Sequence, residues 1–125
     1  MGAQHRPARV GQLIQELLGR IFTRGLRDPR IGMVTVTGVD VTADLREATV
    51  FWTAHGSEEE LAQTGRGLEA ARGFLRREVG KDLSLRVTPE LRFEYDVAID
   101  RGERIERLLK EVKEEDAARE KDGEP

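Results

Sequence analysis

The chain has no cysteine and only two histidines in its 125 residues. Disulfides, zinc–thiolate sites and thiol nucleophiles are therefore excluded, and a cytoplasmic setting fits. His5 stands near the N-terminus and His55 in a turn, which leaves little from which to build a histidine metal site. No apolar run approaches the roughly 18 residues needed to cross a bilayer, so no membrane association is expected. The opening residues Met1-Gly2-Ala3-Gln4-His5-Arg6 lack the apolar stretch of a secretion signal, which speaks against export. A phosphate-binding Gly-x-x-x-x-Gly-Lys-Ser/Thr loop is missing as well. The acidic residues fall in turns, helix starts and a terminal tail rather than beside a nucleophile, so no enzyme, cofactor or small-molecule substrate is expected.

What the chain does have is charge, and the charge is sorted. The net value is −3, yet residues 1–30 hold a surplus of four positive charges and residues 66–92 a surplus of three. Residues 31–65 and 93–125 each run a deficit of five. A nucleic-acid binder needs a basic patch rather than a basic total, and two basic blocks that meet in the fold would supply one.

Val10, Leu13, Ile14, Leu17, Leu18, Ile21 and Phe22 recur at helical period, with Arg6, Arg9, Arg20 and Arg24 off or beside that face and Gly25 as the stop. Ile31 to Val41 is rich in β-branched residues, and Arg46 to Ala54 alternates, so the two read as a hairpin with Trp52 in the core. Ser57-Glu58-Glu59-Glu60 is a capping-box start. The helix it opens carries Leu61, Leu68 and Leu75 but also Gly73, and an interior glycine costs about 1 kcal/mol relative to alanine. Two helical pieces are therefore expected, roughly 58–71 and 73–79, with a break at Ala71-Arg72-Gly73 and a stop at Gly80. Leu83 to Val87 is extended in character, Pro89 marks the lip of a strand, and Leu91, Phe93 and Tyr95 form the buried face of a third strand. A last helix is expected over about 98–113, followed by a charged, disordered tail. The expectation is an α+β fold with helices on one face of a three-stranded sheet, as one domain over residues 1–113 and a tail over 114–125.

The order α-β-β-α-break-α-β is that of a type II KH domain. Asp28-Pro29-Arg30-Ile31-Gly32, Val34-Thr35-Val36-Thr37-x-Val39, Ala71-Arg72-Gly73-x-Leu75-Arg76 and Leu85-Arg86-x-x-Pro89-x-Leu91-x-Phe93 go further. In that order and spacing they resemble bacterial ribosome-binding factor A over roughly residues 6–112. The resemblance implies a monomeric cytoplasmic factor that binds free small (30S) ribosomal subunits. It also implies support for late maturation, including 5′-end processing of the 16S rRNA precursor, and for cold adaptation. Most KH domains clamp nucleic-acid backbone with a Gly-x-x-Gly loop. The family carries Ala-x-Gly there, which Ala71 and Gly73 match, so a kink is implied in place of the loop.

The candidate RNA-binding residues are then Arg66, Arg72, Arg76, Arg77 and Lys81 around the kink, with Arg6, Arg9 and Arg30 from the N-terminal basic block. Arginines beside the start of a helical piece would attract phosphate without reading sequence. The competing reading is a protein–protein interaction module with no direct RNA contact, in which the arginines are plain solvation and the acidic tail docks.

Overall fold

The computed structural model describes residues 2–26, 28–99, 109 and 112, with side chains from Arg6 onward. The chain divides into two units, residues 1–95 and 96–125. In the first unit the order is α1 (Gly2–Arg24), β1 (Val34–Val41), β2 (Glu47–Ala54), α2 (Glu58–Asp82) and β3 (Glu90–Tyr95). This is the α+β arrangement read from the sequence, with one sheet of order β1-β2-β3. β1 and β2 pair antiparallel, and α2 carries the chain across so that β3 joins β2 in parallel.

Register explains the core. Val36 lies opposite Trp52 and Trp52 opposite Tyr95, and the two rings meet edge to face with centroids 5.1 Å apart. Val39, Val50 and Phe93 form the next row, and Val41, Ala48 and Leu91 the last. Between Val36 and Gly38 the ladder carries a bulge. The extra residue keeps Val34 and Val36, and then Val39 and Val41, on the same face although their spacing changes parity. The Val36 carbonyl there accepts from Gln15 Nε2 at 3.0 Å, which fastens α1 to β1. Ile14, Leu18, Leu68, Leu75 and Val79 close the core from the helical side.

The expected helix ends are present in part. Gly25, at φ +88°, donates from its amide to the Phe22 carbonyl and ends α1. Ser57 and Glu60 form the reciprocal capping box that starts α2. The expected break does not occur: α2 is helical without interruption through Ala71-Arg72-Gly73, and it ends at Asp82 rather than Gly80. Burial of Leu68, Leu75 and Val79 on one face outweighs the glycine penalty of about 1 kcal/mol. Leu83 to Val87 forms a loop rather than a strand. Arg76 holds this loop to α2, donating from Nε and Nη2 to the Thr88 carbonyl and pairing with Glu90 at 2.9 Å.

In the second unit, the Asp96 carboxylate accepts from the Ile99 amide at 3.2 Å at the start of a helical turn. Most of the helix expected over 98–113, and the domain boundary expected at residue 113, lie outside the described residues. Among the described residues no helix is long and apolar enough to cross a membrane.

Candidate nucleic-acid interface

At about 100° per residue, Arg66, Ala70, Gly73 and Arg77 of α2 fall on one line, opposite the buried Leu68 and Leu75. Lys81 continues it one turn further. Arg66, Gly73 and Arg77 are all exposed, and neither arginine makes a salt bridge among the described residues. Along the axis these two arginines are separated by roughly 16 Å. Between them lies bare helix: a Cβ built on Gly73 would meet only Arg77 Nη1, at 3.7 Å. No amides are freed there, because the helix is unbroken. What Gly73 supplies is close access to the backbone surface between two cations.

A second basic line runs along α1. Arg6, Arg9, Leu13, Arg20 and Arg24 share one exposed flank, bordering the buried sector on the side away from β1. The opposite flank is the one fixed to β1, where a Cβ on Gly11 would come within 2.7 Å of the Val39 carbonyl oxygen. The sheet's outward face has the contrary sign: alternation places Asp40, Glu47, Glu90 and Glu94 there against Arg92 alone.

The structure thus sorts the candidate arginines. Arg6, Arg9, Arg66 and Arg77 are exposed and carry no salt bridge among the described residues. Lys81 pairs with Glu78 at 2.8 Å in an exposed contact that exchanges readily. Arg72 lies about 120° away from the Arg66 line and sits 3.5 Å from Glu69. Arg76 is turned into the loop as described. Arg30 is forked onto Asp28, from Nε at 3.0 Å and from Nη2 at 2.6 Å. This pair, with the Arg30 amide adding a bond, lowers the Asp28 pKa from 3.8 to about 2.

The Arg30 carbonyl in turn accepts from Thr64 Oγ1, and Ile31 packs on Gly67, where an added Cβ would lie 2.9 Å from Ile31 Cγ1. The Asp28–Ile31 turn is therefore a brace across α2. Sequence reasoning misses Arg20 and Arg24 as site residues, although their period with Arg6 and Arg9 is visible. Among the described residues no group of His, Asp and Glu is placed to hold a metal ion.

Comparison with known proteins converges on one family. The family model described as ribosome-binding factor A matches residues 6–109. A protein of that name from Geobacter sulfurreducens is 49% identical over 111 residues, covering 89% of this chain and 94% of its own. One from Anaeromyxobacter sp. strain K is 51% identical over 126 residues, covering 100% of this chain and 91% of its own. The crystal structure of ribosome-binding factor A from Thermus thermophilus superposes with a TM-score of 0.62 at 25% identity, covering 71% of this chain and 94% of that one. A homology model of the Thermus thermophilus factor, fitted into a cryo-EM map of its complex with the 30S subunit, gives 0.55 at 26% identity, covering 75% and 94%. The fold is accordingly KH-like.

Proposed function

The chain belongs to the ribosome-binding factor A family, and from that premise we propose that it binds the small ribosomal subunit through its helical side. It docks on 16S rRNA backbone, acts on free subunits as a cytoplasmic monomer, and supports late maturation, including 5′-end processing, and growth in the cold. It has no catalytic step of its own and needs no cofactor.

The observation that carries the RNA contact is the Arg66–Gly73–Arg77 line, two arginines without salt-bridge partners on either side of an open stretch of helix. Arg6, Arg9 and Lys81 add charge to the same side of the molecule, while the acidic outer sheet face turns the protein so that this side meets phosphate. Arg30, Arg72 and Arg76 support the surface from within rather than leading the contact. Such contacts are blind to base identity, so selectivity rests on the shape of the assembled subunit.

The test is co-sedimentation of the Arg66→Gln/Arg77→Gln variant with purified small subunits. Both side chains are exposed, so folding is unaffected and the pelleted fraction falls. Wild-type binding should also weaken steeply between about 50 and 200 mM salt. Salt-insensitive docking, unchanged in the variant, would replace this reading with a protein–protein contact that spares the RNA.

A further inference from the structure

A separate cleft opens where the start of α1, the β1–β2 turn and the loop after α2 come together. It has a volume of about 160 Å³, a floor of Leu45, Leu85 and Val87, and three arginines in its lining: Arg6, Arg46 and Arg86. Each arginine comes from a different element, each is exposed, and none makes a salt bridge among the described residues. Asp44 is the one carboxylate lining the cleft, and it is occupied by Thr42 Oγ1 at 2.6 Å and the Arg46 amide at 3.1 Å.

Three guanidinium groups around one cleft repel one another, and a single engaged carboxylate leaves an excess of two positive charges. The backbone is strained at the same place. Leu45 sits at φ +61°, a left-handed conformation that costs a non-glycine residue of order 1–3 kcal/mol. Glycine would sit there without strain. Leucine instead packs its side chain against the core and floors the cleft, while the Leu45–Thr42 and Arg46–Asp44 bonds fix the backbone from which Arg46 projects.

We propose that this cleft is a second RNA-binding subsite, which takes a backbone phosphodiester between Arg46 and Arg86. Arginine suits the task because its planar fork matches phosphate oxygens, and the apolar floor accepts the sugar or base edge beside them. Arg6 belongs both to the cleft and to the α1 line, so the subsite prolongs the basic track round the end of the sheet. The proposal rests on the RNA-binding reading above and extends it to residues outside the two helical stripes.

The test measures binding of a short fluorescein-labelled uridine oligonucleotide and of purified small subunits over a salt series. Arg46→Gln/Arg86→Gln should bind the oligonucleotide roughly tenfold more weakly, with its salt slope reduced by about 1 to 2. The charge-keeping Arg46→Lys/Arg86→Lys variant should recover the slope but only part of the affinity. Normal binding by Arg46→Gln/Arg86→Gln, with Arg66→Gln/Arg77→Gln weakened, overturns the cleft and leaves the helical site standing. If Arg66→Gln/Arg77→Gln and Arg46→Gln/Arg86→Gln both bind RNA and subunits as wild type does, both readings fail. Arginine Nε–H resonances of Arg46 and Arg86 should move with the oligonucleotide. If they move with inorganic phosphate alone, or if an oligoglutamate peptide binds as tightly as RNA, the assignment to RNA is wrong.

Discussion

Two regions of the molecule keep glycine inside a helix for opposite reasons. At Gly11 on α1 and Gly67 on α2 the glycine closes a seam: the next layer lies where a Cβ would be. At Gly73 the space beyond the helix is open. A glycine in a seam is explained by the chain itself. A glycine in the open costs helix stability and gains the isolated chain nothing, so its reason is sought outside the chain, in what approaches the Arg66–Arg77 surface. The same residue type thus marks packing in one place and contact in the other.

Alanine substitutions separate the two. Gly11→Ala should destabilise most, by about 3 kcal/mol, because the obstacle at 2.7 Å is the backbone oxygen of Val39, which cannot move without disturbing β1. Gly67→Ala should cost less, about 1 kcal/mol net, since Ile31 can shift and better helix propensity offsets part of the crowding. Gly73→Ala should go the other way, raising stability by about 1 kcal/mol while weakening co-sedimentation with small subunits. Denaturant midpoints check the first two. For the third, a more stable protein with undiminished subunit binding would remove the reason for distinguishing Gly73 from the seams.

The smallest effect concerns the brace over Gly67. The Asp28 carboxylate is held down to about 2 by the Arg30 side chain first and its amide second. Because its folded value lies below the unfolded one of about 3.9, its contribution is whole above that value and is lost as pH falls toward 2. Asp28→Asn should therefore flatten the acid limb of a stability–pH curve between about pH 4 and 2 and leave its shape at neutral pH unchanged. An identical acid limb in the variant would deny the brace any part in it.

Much of this was legible in the sequence because it depends on short-range pattern. The α1 stripe, the hairpin, the capping box at Ser57 and the buried Trp52 each follow from spacing within one element. The unbroken α2 was not legible, since local propensity at Gly73 opposes what tertiary burial of Leu68, Leu75 and Val79 enforces. The fate of individual arginines was least legible of all. Nothing near Arg76 in sequence announces a carbonyl at Thr88, and the pairing of Arg30 with Asp28 resembles ordinary surface charge until the carbonyl of Arg30 is seen on Thr64. Charge blocks located the basic surface; contacts made across the fold decide which cations in it remain available.

The bulge in β1 has a consequence for how this chain can change length. Val34 and Val36 are in one phase of the strand and Val39 and Val41 in the other, and the unit at Thr37 reconciles them. Deleting Thr37 would place Val34, Val36, Val39 and Val41 in a single alternating series with every partner on β2 kept. In most core strands the loss of one residue turns the remainder inside out. Here the strand contains a position at which it can be shortened without that inversion. What would be given up is local: the bend of the strand, and with it the seating of the Val36 carbonyl on Gln15.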